Sequence, residues 1–158
     1  MLGLASSFGL AFYKAEEAAG AALPTEGAVL VSLAEKNAAA LEVGRAFAKL
    51  GFRIRATDGT HRYFAEHGIA SERIHKIHEG RPHIADAITN GELQLIVNTP
   101  IGRRGQSDDS YIRKSAIRQK LPYVTTLAAA LAAAKGIAAA RAGKAGVRSL
   151  QAYHAAVR

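Results

Sequence analysis

The residues Thr57, Asp58, Gly59 and Thr60 form a pattern that could bind an anion. They follow a short apolar run at residues 52–56 and precede a segment with helical spacing, so they form a strand-to-helix turn. Gly59 permits tight backbone geometry, and the two threonine hydroxyls would lie beside the unpaired N–H groups of a helix start. Those N–H groups and the helix dipole favour a phosphate. The simpler interpretation is that Thr60 is only the N-cap of the helix.

Polar residues also follow three other apolar runs. Lys76 lies near the end of the third run and could hold a phosphate as a point charge, although a solvent-facing lysine is the simpler interpretation. Asn98 and Thr99 follow the fourth run, and Thr125 and Thr126 follow the fifth; each pair could simply cap the next turn. Their common position after apolar runs favours a shared site.

The apolar runs alternate with segments of helical spacing. This alternation predicts an α/β fold with an open, five-stranded, mainly parallel sheet and helices on both faces, a Rossmann-like three-layer arrangement. The predicted strands cover 27–33, 52–57, 73–77, 93–98 and 121–125, and the predicted helices cover 6–22, 37–50, 60–67, 82–90, 108–120 and 127–142. Ligands of such sheets bind beyond the carboxyl ends of the strands, which is where the polar clusters fall.

Three local signals refine these helices. Pro82 is predicted in the first turn of its helix, where its missing N–H costs nothing. Residues 101–106 contain two glycines and two arginines and are predicted to form a flexible basic loop. Asp108 and Asp109 are predicted to begin the next helix, with their charges at the positive end of its dipole.

The composition limits the classes of protein. A chain of 158 residues is predicted to form one main domain, and no apolar stretch is long enough to cross a bilayer. The absence of cysteine excludes disulfides and thiolate metal sites, and a cytoplasmic location fits by default. The net charge of +8 could suggest nucleic acid, but the basic residues are scattered and no nucleic-acid motif accompanies them.

No set of residues predicts catalysis or a metal site. The six histidines have no carboxylate partner at ligand spacing. No serine lies in an elbow motif, and no Walker-type glycine loop is present. The sequence therefore predicts a binding edge without catalytic residues, metal ligands or a cofactor.

Residues 78–84 read HEGRPHI and are followed by Asp86, by Asn-Gly-Glu at 90–92 and by Asn98-Thr99. This pattern closely resembles the C-terminal allosteric domain of carbamoyl phosphate synthetase large subunits, which has the methylglyoxal-synthase-like fold. The resemblance covers roughly residues 27–133. It implies that residues 1–24 are an N-terminal helix and linker, the remnant of a preceding synthetase region, and that residues 25–158 are the regulatory domain.

The resemblance also implies a set of site residues. Phosphate and nucleotide contacts are expected from Lys36, Thr57, Gly59, Thr60, Lys76, Asn98 and Thr99, with Lys36 preferred to Asn37 after the first strand. The ribose and base are expected beside Ile77, Ile84, Asp108, Tyr111 and Ile112, and an ornithine contact is expected from Tyr123 and Thr125. Two positions depart from the family pattern. Pro100 replaces a threonine and supplies neither its hydroxyl nor an N–H, and Asp109 replaces a serine with a carboxylate that would disfavour a phosphate.

By this resemblance, the domain is a non-catalytic part of an ATP-dependent ligase of arginine and pyrimidine biosynthesis. Its effectors would be UMP, IMP or phosphate, while ATP and metal ions would belong to the rest of the large subunit. Its partners would be that remainder and the glutaminase small subunit, with no nucleic acid and no membrane, and a homo-oligomer stays open. The alternative is a stand-alone lyase similar to methylglyoxal synthase, in which Glu79 would have to replace the aspartate base.

Overall fold

The computed structural model describes residues 2–100, 102–143 and 146–155, with the side chains of 102–108 left out. The strands are β1 (Ala28–Leu33), β2 (Arg53–Thr57), β3 (Glu72–Ile74), β4 (Leu95–Thr99) and β5 (Tyr123–Val124). The α-helices are α1 (Phe8–Ala18), α2 (Ala38–Lys49), α3 (Asp58–Glu66), α4 (Ile84–Thr89), α5 (Gly102–Arg118), α6 (Leu127–Arg141) and α7 (Leu150–His154), and a 3-10 helix covers Ile77–Glu79.

The five strands form one sheet in the order β3-β2-β1-β4-β5, and every pair is parallel. The predicted fold class is therefore confirmed. The central strand β1 is buried along most of its length, so its side chains are apolar on both faces. Val29 and Val31 pack on one face with α2, α3 and α6, whereas Ala28 and Leu30 pack on the other face with α4 and α5.

The helices begin at residues that can accept hydrogen bonds. The Asn37 side chain accepts from the Ala40 N–H at 3.0 Å and starts α2. The Thr126 hydroxyl accepts from the Ala129 N–H at 3.1 Å and starts α6. On α2, Phe47 is fully buried, which stabilises the fold by roughly 1.5–3 kcal/mol relative to an exposed side chain.

Helix α1 packs closely on α6 through two glycines. A Cβ on Gly9 would lie 2.6 Å from the carbonyl oxygen of Lys135, and a Cβ on Gly136 would lie 3.2 Å from the carbonyl oxygen of Gly9. Leu10 on α1 and Leu23 in the segment that follows it are both buried. The division of the chain at residue 24 stays a prediction, but α1 shares its packing with the helix layer of the sheet.

Three local predictions are wrong. Residues 102–106 belong to α5 rather than to a loop, and Ile101 lies outside the described residues. Asp108 and Asp109 lie within α5, nearly two turns after its start at Gly102, so they do not begin the helix. The helix after Pro82 begins at Ile84, because His83 is its N-cap and exchanges hydrogen bonds with Asp86.

Within the described residues, no helix is both long and apolar enough to span a bilayer. Helix α7 and the 3-10 helix were not expected from the sequence. Both are too short to show a helical hydrophobic period in the sequence.

Candidate functional site

A cavity of about 160 Å³ lies beyond the carboxyl ends of β1, β2 and β4. It opens where the strand order reverses between β1 and β4, the position at which open parallel sheets bind ligands. Its lining residues come from strand ends, from the loops after them and from α3, α4 and α5: Ser32, Leu33, Ala34, Lys36, Thr57, Gly59, Lys76, Ile84, Asn98, Thr99, Pro100, Asp109 and Ile112.

Two lysines supply positive charge to this cavity. The Lys36 ammonium donates to the carbonyl oxygens of Leu33 and Ala34 at 3.0 and 3.3 Å. Lys76 lines the cavity from the segment after β3. Among the side chains that the structure describes, no carboxylate pairs with either ammonium. Two cations without a carboxylate partner therefore face one concave surface.

The start of α3 forms one wall. Thr57 is its N-cap residue, but the Thr57 side chain makes no capping hydrogen bond and instead lies 3.4 Å from the Ser32 hydroxyl. Gly59 has ordinary helical geometry, so its use here is space. A Cβ at that position would lie 3.4 Å from the Lys36 ammonium. The lysine thus lies across the first turn of α3, where N–H groups point outward.

Thr60 has a different place from the one predicted. It lies inside α3 rather than at the N-cap, and it is 1% exposed. Its hydroxyl accepts from the Leu33 N–H at 3.0 Å and lies 3.4 Å from the Leu33 carbonyl oxygen. Thr60 therefore lies behind the cavity and holds the end of β1 against α3.

Asp58 brings a carboxylate close to the same turn but not into the cavity. Its oxygens lie 2.5 Å from the Arg62 guanidinium and 3.2 Å from that of Arg73. Asp58 is absent from the cavity lining. Because the two arginines offset the charge of Asp58, this carboxylate repels an anion at the first N–H groups of α3 less strongly.

The carboxyl end of β4 supplies two further residues. The Thr99 hydroxyl accepts from the Ala34 N–H at 3.2 Å and so orders the loop that carries Lys36. The Asn98 side chain is buried and its amide nitrogen lies 3.0 Å from Asp109 Oδ1. The amide orientation follows from the carboxylate, which can only accept.

Asp109 is the centre of a hydrogen-bonded group at the far wall. Its carboxylate accepts from Asn98, from the Tyr123 hydroxyl and, at 3.1 Å, from Arg113. The Arg113 guanidinium also lies 5.5 Å from the centre of the Tyr123 ring. Burial, reinforced by the hydrogen bond to Asp109, raises the pKa of the Tyr123 phenol well above its usual range.

The predicted ribose and base residues do not all meet at this cavity. Ile84 and Ile112 line it, whereas Ile77 and Tyr111 line a separate groove that also contains Arg81. The side chain of Asp108 lies outside the described residues. Of the two predicted ornithine residues, Tyr123 lies behind Asp109 and Thr125 is exposed immediately after β5.

Glu79, the residue that a lyase would need as a base, is turned elsewhere. Its Oε2 accepts from the Lys76 N–H at 3.0 Å within the 3-10 helix. It is exposed and does not line the cavity. Its position gives no support to proton abstraction in the cavity.

The sequence pattern did not assign Ser32 and Arg113 to the site. Ser32 is the penultimate residue of β1 and lies beside Asn98 in the sheet register, so its position after an apolar run was the available signal. Arg113 lies one turn after Asp109, a spacing at which opposite charges commonly pair on a helix. No group of three His, Asp or Glu side chains able to hold a metal occurs in the described part of the chain.

Comparison with known proteins agrees with this fold. A family model described as the MGS-like domain matches residues 39–125. The carbamoyl phosphate synthase large chain of Archaeoglobus fulgidus is 46% identical over 156 residues, and that of Gemmatimonas aurantiaca is 49% identical over 160 residues. These alignments cover 98% and 100% of this chain but 14% of each relative.

A shorter relative shows that the similarity lies in the C-terminal section of the large chain. The C-terminal section of the carbamoyl phosphate synthase large chain from Aquifex aeolicus is 43% identical over 138 residues, which cover 87% of this chain and 26% of that protein. The family match covers β2, β3, β4 and β5 together with most of the cavity lining. The chain belongs to the MGS-like domain family.

Proposed function

We propose that this domain binds nucleoside monophosphate effectors and regulates a carbamoyl phosphate synthase large chain. The observation that carries the proposal is the pair of lysine ammoniums, Lys36 and Lys76, which face one cavity without a carboxylate partner among the described side chains. A phosphate dianion would compensate both charges at once.

The start of α3 supports an anion in the same place. The Thr57 side chain leaves the first N–H groups of α3 without a capping acceptor. These N–H groups and the helix dipole favour negative charge. A phosphate bound there would interact with the helix end and the ammonium of Lys36, which lies over Gly59.

The size of the cavity fits a phosphate group better than an entire nucleotide. Pockets that enclose a drug-sized ligand hold about 300–1,000 Å³, whereas this cavity holds about 160 Å³. In the proposed complex the phosphate enters the cavity. The ribose and base then lie toward its opening, with Ile84 and Ile112 as apolar neighbours.

The regulatory role is proposed from the relatives, which carry the name carbamoyl phosphate synthase large chain and of which this chain spans 14%. An effector that prefers one conformation of the whole enzyme would shift its equilibrium by the difference in affinity, typically on the order of 1–3 kcal/mol. ATP and metal chemistry would lie in the other sections of the large chain, which would be the direct partner of this domain. A glutaminase small subunit, a place in arginine and pyrimidine biosynthesis, and a cytoplasmic location belong to the same proposal.

Isothermal titration of the chain with UMP, IMP and inorganic phosphate tests the proposal directly. We expect saturable binding of at least one nucleotide with one site per chain. Binding should weaken as ionic strength rises, since the contacts are charged. Absence of binding to all three at low ionic strength would exclude an effector site in this cavity.

A second assay separates the lyase from the regulatory domain. Incubation of the chain with dihydroxyacetone phosphate should give no methylglyoxal above the buffer background. Enzymatic formation of methylglyoxal would favour the lyase and would require a base other than Glu79, which lies outside the cavity lining.

A further inference from the structure

We propose that Asp109 makes the cavity selective for phosphate monoesters that carry a hydrogen-bond donor near the phosphate, in preference to monoesters that lack one. This inference rests on the proposed effector site and assigns a role to the wall opposite its lysines. Asp109 lines the cavity and is 8% exposed, so its carboxylate is a largely desolvated acceptor.

The carboxylate of Asp109 is fixed in position by three neighbours. Asn98 and Tyr123 donate to Oδ1, and Arg113 donates to Oδ2. These donors belong to β4, β5 and the next turn of α5, so the carboxylate cannot leave the wall without breaking contacts to three elements. An ionised carboxylate has about four acceptor positions, and three donors leave one for a ligand.

The cavity is therefore bipolar. Lys36 and Lys76 attract a phosphate, while Asp109 repels any anion that fills the same small volume. Arg113 offsets this repulsion only in part, because half of its side chain is exposed to solvent. A fully ionised monoester without a hydroxyl, such as methyl phosphate, meets both effects with acceptor oxygens alone.

A monoester with a nearby hydroxyl meets a different environment. One phosphate oxygen becomes the ester link, and the attached carbon skeleton can direct its hydroxyl to Asp109. The contact is then a hydrogen bond to a charged acceptor, one of the stronger kinds. The carboxylate that disfavours a monoester without a donor thus favours a sugar phosphate or a nucleoside monophosphate.

Calorimetric titration of the unaltered protein with three ligands tests the selectivity. Fully ionised methyl phosphate, used at mildly alkaline pH, lacks a donor. Inorganic phosphate keeps one P–OH group, and ribose 5-phosphate carries hydroxyls on its carbon skeleton. We expect ribose 5-phosphate to bind at least about tenfold more tightly than methyl phosphate, the effect of one charge-assisted hydrogen bond. If the three ligands bind with equal affinity while a separate titration shows that UMP or IMP binds, this inference is overturned and the proposed function is not. No binding of any ligand would instead overturn the proposed function.

The variant Asp109→Asn assigns the effect to the residue. Removal of the charge should tighten methyl phosphate binding by about tenfold and should reduce the preference for ribose 5-phosphate over methyl phosphate to below about threefold. The control is Glu42→Gln, which makes the same charge change at an exposed position on α2 and should leave both quantities unaltered. Asp109→Ser provides a second test if thermal melting shows that the amide variant is unfolded. A preference for ribose 5-phosphate that persists in a folded variant contradicts the assignment to Asp109. If neither variant folds, the three-ligand comparison on the unaltered protein decides whether the cavity is selective.

Discussion

The Thr60 hydroxyl accepts a hydrogen bond from the Leu33 N–H at 3.0 Å, which ties the first turn of α3 to the end of β1. Both residues are buried, and Leu33 lines the cavity whereas Thr60 lies behind it. The contact determines how far apart the loop of Lys36 and the start of α3 stand. The shape of the site therefore depends on a residue that does not line it.

Replacement of Thr60 by valine should destabilise the fold by about 1–3 kcal/mol, because the buried Leu33 N–H would lose its acceptor while the shape of the side chain is kept. Thr60→Ser is the matched control. It retains the hydroxyl and should cost about 0.8 kcal/mol for the lost methyl group. Urea unfolding measures both free energies. A valine variant as stable as the serine variant would show that the hydrogen bond is unimportant.

Lys76→Ala should weaken nucleotide binding by about 1.5–3 kcal/mol, the range for a hydrogen bond to a charged group. Lys36→Ala should have a smaller effect, since Lys36 is exposed and solvent screens its charge. Lys49→Ala is the control, because Lys49 is an exposed lysine at the end of α2, outside the cavity. Titration calorimetry with UMP and IMP measures the changes. Affinities that are equal in all three variants would mean that the phosphate binds elsewhere.

The raised pKa of Tyr123 predicts a pH dependence at the alkaline end. The folded state favours the neutral phenol, so the stabilisation is complete below the unfolded pKa of about 10 and is lost as the pH rises above it. Comparison with Tyr123→Phe isolates this residue. The difference in unfolding free energy between the two proteins should be constant from about pH 7 to 9. Above about pH 10 the unfolding free energy of the unaltered protein should fall relative to that of Tyr123→Phe. A constant difference up to about pH 11 would contradict the raised pKa.

Gly44→Ala should destabilise the packing of α2 against α3. The added Cβ would lie 2.9 Å from Phe64 Cζ and 3.1 Å from Ile69 Cδ1, and Phe64 is fully buried. Overpacking of this kind costs about 1–3 kcal/mol. Gly59→Ala is the matched control, because its Cβ would meet only the flexible end of Lys36 at ordinary contact distance. Thermal melting should show a lower midpoint for the first variant and little change for the second. Equal melting midpoints for the two variants would show that the residues around Gly44 can shift to accommodate the added Cβ without loss of stability.

The sequence was sufficient to predict the five-stranded parallel sheet. Strands such as β1 and β4 are apolar on both faces and carry polar residues near their carboxyl ends, and this pattern depends only on local composition. The same reasoning placed Thr57, Lys76 and Asn98 at one edge, because parallel strands end at the same side. The cavity lining contains all three.

The errors concern helix limits, which a single glycine or proline signal determines only weakly. Residues 102–106 have the glycine content of a loop, yet they continue α5, because propensity is a weak determinant of helix limits. Pro82 resembles a helix start, but the reciprocal hydrogen bonds of His83 and Asp86 set the beginning of α4. Neither helix limit follows from the glycines or from the proline alone.

The sequence by itself determined the order of strands and helices, the edge of the sheet at which polar side chains collect, and the family to which these motifs belong. Only the tertiary structure decided which of those side chains face the cavity. It directed the Thr60 hydroxyl to Leu33 and brought Asp109 to Asn98 and Tyr123. The physical reason is that strand position follows from local pattern, whereas the orientation of a polar side chain depends on hydrogen-bond partners that are distant in the sequence.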